Sequence, residues 1–526
     1  MEKVTIIIDG KKFEAKKEDN LLSFLLKNHF PIPHLCYHPD FEPEENCCLC
    51  LVEVNGKIKT SCSVKIKAGL EVKTNTEQVK ELRKTNLLLI QQSKLRKQAR
   101  KEFSFGGIIN YDMKKCVDCR NCLKACDLIQ HINAVEMKNY GCQQEILPTN
   151  NPCIYCGQCL THCPVNAIST NEDEYKRIVS YLNDKNYIKI AQIAPSIRAA
   201  IGEEFGLKYG EIITDKIVEV LKKLGFNYVF DTSFAADITT IEEAKELIER
   251  LETGEKLPMF TSCCPGWVKY VQSYYPDLEP LLTSVLSPEI KMGNIIKHYF
   301  VKKKNLPIDK IKVISIMPCT AKKWEVRRKE FIIDGCYPVD DSLTTVETAR
   351  LIKEKGIDFK NLRGLPFDNP LGKATGAGII FGSTGGVMTA ALRTAYYLIT
   401  GKNPQQLDFE KEITSLKGLK IFKIKIIDKS LRIAVVDGLG NFKLIGNQLK
   451  NFDYIEVMAC PGGCLAGGGQ PKPVNDFIRE KRKQALLLID KNLKLRLAHE
   501  NPEVKIVYKE FLKNDQLIKK YCHINH

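Results

Sequence analysis

The sequence has little tryptophan, two residues in 526, and no apolar run near the roughly 20 residues a membrane-spanning helix needs. A helical membrane protein is therefore excluded. There is no basic-then-apolar leader either. The N-terminus MEKVTIIIDG already reads as a strand, so the chain is expected to be cytoplasmic. No phosphate-binding loop is present, because GSTGG at 382–386 lacks the lysine such a loop requires. Low-complexity tracts are absent too. The stretch 76–103 contains no cysteine, in a chain that elsewhere is full of them.

The total is 21 cysteines, an odd number. In a cytosolic chain a disulfide framework of that size is not expected, and the spacings point to metal sites instead. Net charge is +16, from 79 basic and 63 acidic residues. Residues 83–101 carry seven positive charges and no acid. That segment reads either as a solvated helix face or as a docking surface for an acidic partner. Nucleic acid is not expected, since no aromatic residues interleave the charges.

Residues 1–75 read as a small β-rich domain. VTIIIDGKKFEAK is two strands around an Asp-Gly turn, and NLLSFLLKNH has helical apolar spacing. Residues 76–103 are basic and helix-prone. Residues 104–170 are short loops dominated by cysteine. From about 186 onward strands and helices alternate, as in α/β proteins. YIKIAQIAPS, NYVFDTSFAAD, KLPMFTSCCPGW, KIKVISIMPCTAKK and YIEVMACPGGC each run from an apolar strand into a polar, Pro, Gly or Cys loop. Chemistry in open α/β sheets gathers at the C-terminal ends of strands, so these distant segments are expected to converge.

The cysteines fall into sets. Cys116, Cys119, Cys122 and Cys126 form C-x2-C-x2-C-x3-C, and Cys153, Cys156, Cys159 and Cys163 repeat it with Pro164. This is the spacing of two-cluster bacterial ferredoxins, in which each fourth cysteine serves the other cluster. One 4Fe–4S cluster would take Cys116, Cys119, Cys122 and Cys163. The other would take Cys153, Cys156, Cys159 and Cys126. Asp127 stands where the first run would usually have proline. Cys36, Cys47, Cys50 and Cys62 resemble a plant-type 2Fe–2S arrangement, with Cys48 as an extra thiol in the loop. Zinc is the alternative for these sets. Cys264, Cys319, Cys460 and Cys464 would bring four thiols from three strand ends to one buried site.

TSCCPGW, MPCTAKKWE and MACPGGCLAGGG closely resemble the three signature motifs of iron-only (FeFe) hydrogenases. The N-terminal cluster domains resemble the accessory domains of that family's longer members. The resemblance implies a multidomain α+β chain. A β-grasp 2Fe–2S domain would span 1–75, a basic helical linker 76–103, a ferredoxin-like 2×4Fe–4S domain 104–175, and a large α/β catalytic domain 186–526. It also implies an H-cluster, a 4Fe–4S cubane joined through cysteine to a two-iron unit with carbonyl, cyanide and dithiolate ligands. Cys264, Cys319, Cys460 and Cys464 would hold the cubane, with Cys464 bridging. Lys322 would donate to a cyanide, while Met317, Phe381 and Met458 would pack around the cofactor. The thiol matching Cys263 passes protons in the family, and an ordinary thiol pKa of roughly 8.5 suits that task.

Glu243, Glu246 and Arg250 lie on one face of the helix expected at TTIEEAKELIER. The resemblance places them, with Thr283, on a proton route running Cys263, a water, Glu243, Thr283, Glu246, then Arg250 at the surface. Long members usually carry a further cluster with one His and three Cys ligands between the first two domains. Here that stretch is the cysteine-free 76–103 segment, so three accessory clusters are expected, and the missing one could leave a gap in the electron route. The implied reaction is 2H⁺ + 2e⁻ ⇌ H₂. The implied partners are ferredoxin or a flavin-containing NAD(P)H-oxidising subunit, together with maturation proteins. A non-catalytic assembly protein is the main rival reading, and Cys263, Lys322 and Glu243 argue against it. A hydrogen sensor is a second. Cys48, Cys142, Cys336 and Cys522 have no assigned role.

Overall fold

The computed structural model describes residues 2–96, 102–140, 143–407, 416–426 and 429–524. Cys142 and the basic residues Lys97, Arg100 and Lys101 lie outside the described residues. No helix among those described is long and apolar enough to cross a membrane.

The N-terminal strands Lys3–Ile8 and Lys11–Lys16 form an antiparallel hairpin. Asp9 and Gly10 at its turn have φ of 47° and 80°. Two successive positive φ values make the turn whose twist matches the flanking strands, and Asp-Gly tolerates both. Val4, Ile6 and Ile8 point to one face and are buried. Five strands lie side by side in the order Lys11–Lys16, Lys3–Ile8, Glu71–Lys73, Leu51–Val54, Lys57–Thr60. The helix Leu21–Lys27 packs Leu21, Leu22 and Leu25 onto this sheet. Asn20 starts that helix by accepting a hydrogen bond from the Ser23 amide at 3.0 Å. A sheet clasping one helix is the β-grasp arrangement expected.

The helix Glu77–Arg96 follows. Val79 is buried and Arg83, Asn86 and Ile90 are half-buried, one inward stripe at helical spacing, while Leu82, Leu87, Leu88 and Leu89 are exposed.

In the cysteine-rich region the two quartets repeat in backbone as well as in sequence. Asp118 and Arg120 have φ of 54° and 61°, and Tyr155 and Gly157, at the matching positions, have 58° and 71°. Two left-handed residues among three successive cysteines turn the chain tightly enough for the sulfurs to face one centre. Short helices, Asn121–Lys124 and Gln158–Thr161, leave each loop.

The large domain contains two four-stranded sheets. One is all parallel, in the order Tyr228–Asp231, Ile188–Ile193, Ile311–Met317, Asp341–Thr344. The other has Met259–Phe260, Tyr454–Met458 and Lys429–Asp437 parallel, with Leu419–Ile426 antiparallel at its edge. Helices cover both faces of the parallel sheet, so its central strands are nearly continuous apolar runs.

The three regions meet at one joint. The Arg479 guanidinium, on the helix Asp476–Asn492, donates to both oxygens of Asp40 at 3.0 and 3.1 Å. Asp40 sits in the loop after Cys36, and His38 there lies with its ring centroid 4.2 Å from that of His162, beside Cys163. Lys124 donates to the Glu42 carbonyl at 2.7 Å and pairs with Glu44 at 2.9 Å. Breaking a hydrogen-bonded, largely buried ion pair costs about 2–5 kcal/mol. Arg479→Ala is therefore expected to loosen the N-terminal domain, so that limited proteolysis releases it earlier while the rest of the chain survives. Equal release rates from variant and parent would contradict this joint.

Candidate functional site

Five strands from both sheets end at one cavity. It is lined by Ala194–Ser196, Thr232, Cys263, Cys264, Met317–Cys319 and Met458–Cys460, the residues at or just beyond those strand ends. Lys322, Phe381, Gly463, Cys464 and Gly467 complete the wall. The four thiols expected together, from Cys264, Cys319, Cys460 and Cys464, are brought together here. So are Cys263, Met317, Phe381, Met458 and Lys322.

Two smaller cavities carry the other quartets. Cys116, Cys119, Cys122 and Cys163 line one, and Cys126, Cys153, Cys156 and Cys159 line the next. The fourth cysteine of each run is thus exchanged, as the ferredoxin spacing implies. The space in these two cavities is about 350 and 370 Å³, against about 720 Å³ in the strand-end cavity. Each small cavity suits one cubane, and the large one has room for a cubane plus a second group of similar size. Cys36, Cys47, Cys50 and Cys62 are all buried, with the sulfurs of Cys36 and Cys47 3.4 Å apart.

The donor chemistry fits iron–sulfur clusters. All 20 described cysteines are free, none in a disulfide. Burial pushes the thiols of Cys122, Cys156 and Cys460 well above their ordinary range, and neighbouring sulfurs push the same way. Four crowded, buried sulfurs become thiolates readily only when a metal supplies the compensating charge. Backbone amides are already aimed at them. Asp118, Ala134, Tyr155 and Ala167 N–H groups reach the sulfurs of Cys116, Cys126, Cys153 and Cys163 at 3.4, 3.2, 3.4 and 3.3 Å. Such bonds favour anionic sulfur.

The sites are packed in series. Cys36 and Cys47 form one buried cluster with Leu49, and Ile90 and Cys119 pack against it. Tyr111 lines both cubane cavities. The second cubane loop touches the strand-end cavity backbone to backbone: a Cβ on Gly468 would lie 2.6 Å from the Gly157 Cα and 2.5 Å from the Cys156 carbonyl oxygen. Gln158 donates to the Ala466 carbonyl at 2.9 Å, and Thr320 to the Tyr155 carbonyl at 2.6 Å.

On the other side of the cavity, Glu243 is buried on the helix Thr232–Thr253. Tyr454 donates to its Oε1 at 2.9 Å. Burial pushes the Glu243 carboxyl up to about 8, and the charges of Glu246 and Glu456 add to this against the Tyr454 hydrogen bond. The Cys263 thiol is driven well above its ordinary range by burial and then by Glu243. The near-neutral thiol expected from sequence is corrected here: Cys263 is held protonated. Glu246 accepts from Thr283 Oγ1 at 2.7 Å and from Ser284 Oγ at 2.9 Å. Burial pushes Glu246 up as well, but Arg250, Thr283 and Ser284 outweigh it and hold the carboxyl below its ordinary value.

Two further residues differ from expectation. Arg250 was placed at the surface, but it is 7% exposed, because the Leu281 and Leu282 carbonyls and that of Lys256 draw its guanidinium inward. Lys322 lines the cavity, yet its ammonium already pairs with Glu325 and donates to Ser287 at 3.1 Å. Glu289 Oε2 lies 3.6 Å from the same ammonium, a third and longer ion-pair contact. Burial lowers the Lys322 pKa, but Glu325 and Glu289 overcome it and keep the side chain charged.

Sequence reasoning missed Tyr454, Glu456 and Ser284. Glu456 left a signal, as the one acid inside the otherwise apolar strand YIEVM. Cys48 donates to the Glu45 carbonyl at 3.0 Å, and burial raises the Cys522 thiol to about 12.

Comparison with known proteins gives matches along most of the chain. Residues 187–468 match the iron only hydrogenase large subunit, C-terminal domain. Residues 1–77 match a 2Fe-2S iron-sulfur cluster binding domain, and 150–169 a 4Fe-4S binding domain. Residues 476–524, read from sequence as the end of the catalytic domain, match the iron hydrogenase small subunit family. The chain is 37% identical over 566 aligned residues to NADP-reducing hydrogenase subunit HndD of Solidesulfovibrio fructosivorans, covering 97% of this chain and 96% of that one. It is 34% identical to iron hydrogenase 1 of Clostridium pasteurianum, covering 96% of each. A solved apo [FeFe]-hydrogenase from Chlamydomonas reinhardtii superposes with a TM-score of 0.60 at 35% identity, over 67% of this chain and 98% of that chain.

The Glu243 environment has a measurable sign. Its unfolded carboxyl ionises near the ordinary glutamate value of 4.5, whereas burial lets the folded one keep its proton up to about 8. The unfolded state therefore binds fewer protons between those values, and this group's contribution to stability falls as pH rises through the window. Glu243→Gln cannot ionise, so its stability curve should fall less over that range in chemical denaturation. Parallel curves for variant and parent would rule out a neutral Glu243.

Proposed function

The chain belongs to the iron-only hydrogenase family, and from that premise we propose which residues hold the cofactors, carry electrons and move protons. The protein is an oxidoreductase acting on hydrogen, with an H-cluster domain and iron–sulfur clusters for electron transfer. The H-cluster, when bound, supplies the redox-active iron at which two protons and two electrons combine as H₂.

Cys264, Cys319, Cys460 and Cys464, which line the cavity together, would hold that group. Met317, Phe381 and Met458 close the cavity against water. Lys322 at the cavity wall would turn an N–H from its long contact with Glu289 to an anionic ligand, a charge-assisted hydrogen bond. Cys263 Sγ holds a proton at the cavity wall and exchanges it with the Glu243 carboxyl through a water. From Glu243 the proton moves to the Thr283–Glu246 pair, with Arg250 holding the Glu246 charge. The observation that carries this reading is one cavity lined by Cys264, Cys319, Cys460 and Cys464, with the Cys263 thiol at its wall and the buried Glu243 carboxyl behind it.

The cysteine sets would hold their clusters in series, the 2Fe–2S site next to the Cys116 set, then the Cys153 set, then the strand-end cavity, and clusters so placed would supply an electron path. The packing of Cys119 against Cys36 and Cys47 supports a direct first step, without the family's additional His/Cys cluster. The helix Glu77–Arg96 stands in its place. Asn86 donates to the Cys48 carbonyl at 2.8 Å, and Ile90 packs on the cluster cysteines. With its exposed leucines and Lys84, this helix is the docking surface for an acidic electron carrier, a ferredoxin or an NAD(P)H-oxidising flavin subunit. The relative named as an NADP-reducing hydrogenase subunit supports a subunit partner. Maturation proteins are needed to supply the two-iron unit. The free cysteines among the described residues support a reducing compartment, the cytoplasm.

Two outcomes test this reading. Glu243→Gln should lower hydrogen evolution from reduced viologen about 100-fold or more, in line with the loss of a positioned proton-transfer group. Infrared bands of iron-bound carbonyl and cyanide should persist; turnover near that of the parent would remove Glu243 from the route. Lys84→Glu with Leu88→Ala should raise KM for an acidic ferredoxin about five-fold at low salt, an effect that screening shrinks at high salt. Viologen activity should not change. An unaltered ferredoxin KM would place docking elsewhere.

A further inference from the structure

We propose that His523 is the outer proton relay of this chain, taking protons from Glu246 through the Ser284 hydroxyl and passing them to solvent. This rests on the reading of Glu246 as part of the proton route.

The argument begins with what Arg250 lacks. A guanidinium has no acceptor lone pair and does not give up its proton at accessible pH. Arg250 can hold Glu246 charged, but it cannot carry a proton outward. Its N–H groups are occupied by Glu246 and by the carbonyls of Lys256, Leu281 and Leu282. Thr283 reaches Glu246 from the cavity side. Ser284, a side-chain donor to Glu246, has an onward side-chain link: its Oγ lies 2.8 Å from His523 Nδ1.

Backbone pairing fixes that contact. His523 bridges Val285 in antiparallel register, the Ile524 amide donates to the Ser284 carbonyl at 2.8 Å, and the Leu286 amide to the Cys522 carbonyl at 2.8 Å. Alternation along this short pairing turns Cys522 into the core and His523 toward Ser284, with 17% of the His523 side chain exposed. Its Nε2 lies 3.5 Å from Glu242 Oε2.

The transfer balances without any other reactant. When Glu246 is protonated, its O–H donates to Ser284 Oγ and the Ser284 hydroxyl donates to the Nδ1 lone pair. One concerted shift leaves Glu246 ionised, Ser284 neutral and His523 as imidazolium. The Nε2–H then faces Glu242 and water, loses its proton there, and the ring returns to neutral. Imidazole is the side chain whose ordinary titration lies between pH 5 and 8. The groups around it fit an alternately charged ring. Burial pushes Glu242 up, but His523, Lys245 and the Tyr508 hydroxyl outweigh it and bring the carboxyl down to about 2, so a fixed negative charge faces Nε2. Lys245 neutralises Glu242 from the solvent side at 2.8 Å, and burial lowers the pKa of the enclosed Lys291 nearby, limiting the positive charge beside the ring. Cys522, pushed up by burial, stays a neutral thiol.

The competing exit is direct. Glu246, Arg250 and Ser284 also line a surface cleft with Glu249, Glu279 and Lys256, and water there could take the proton straight from Glu246. His523→Gln separates the two, because an amide can keep a hydrogen bond to Ser284 but cannot relay a proton. Hydrogen evolution from reduced viologen would be followed from pH 5.5 to 9 in dilute buffer, with and without added imidazole, alongside thermal unfolding and the infrared spectrum. The expected result is a fall of about five-fold or more, a pH profile whose shape differs from the parent's, and recovery on adding imidazole. Unfolding and infrared bands should match the parent. A pH profile superimposing on the parent would overturn the relay in favour of the cleft. A uniform fall at every pH that imidazole does not restore would also overturn it, as a structural effect. If His523→Gln fails to fold, Ser284→Ala carries the test by cutting the same link while keeping the Ser284 amide on Glu246. Glu246→Gln, run alongside, isolates the premise: parent-like turnover there would bring down the whole route, the relay included.

Discussion

Everything in this protein follows from burying sulfur and carboxyl groups where water cannot compensate them. Four thiols at the ends of strands from two sheets, and a carboxyl held neutral behind them, are costly placements on their own. They become favourable when a cluster takes the thiols as thiolates and when the acid keeps its proton. The sheets supply the rigidity. Parallel strands buried on both faces have little freedom to move their C-terminal ends, so Cys264, Cys319, Cys460 and Cys464 are held in place by Met259–Phe260, Ile311–Met317 and Tyr454–Met458.

In the proposed routes, electrons and protons approach this cavity from opposite sides. The electron side is close-packed and laced by backbone: Gly157 against Gly468, Gln158 on Ala466, Thr320 on Tyr155. No Cβ fits between the two glycines, which keeps the second cubane loop against the H-cluster wall. The proton side is a chain of side-chain oxygens and nitrogens with alternating pKa shifts, Glu243 raised and Glu246 lowered. A proton moving outward therefore leaves a group that holds it strongly for one that holds it weakly, toward the surface. The C-terminal segment, which carries a small-subunit family description of its own, completes this side through His523 and Cys522.

The ligand cysteines were legible because cluster geometry imposes spacing: a cubane wrapped by one loop demands C-x2-C-x2-C, and the positive φ pairs at Asp118 and Arg120, and at Tyr155 and Gly157, are its backbone counterpart. The strand-to-loop segments were legible from apolar runs ending in Pro, Gly or Cys. What was not legible came from distant segments meeting. Arg250 reads as a surface residue on its own helix, and the carbonyls of Lys256, Leu281 and Leu282 pull it inside. Tyr454 reads as a core aromatic until Glu243 is found at its hydroxyl. His523 sits three residues from the end of the sequence, and nothing local ties it to Ser284. The segment 76–103 was legible as a helix lacking cluster ligands, but not as the element that packs on the 2Fe–2S loop.

The most direct measurement is anaerobic hydrogen evolution from reduced viologen by the matured full-length protein, with the infrared spectrum recorded on the same sample. Viologen bypasses the accessory clusters, so the result reports on the strand-end cavity and its proton side alone. The account predicts sustained hydrogen production together with the bands of iron-bound carbonyl and cyanide. Those bands without hydrogen, in protein whose unfolding is normal, would contradict it.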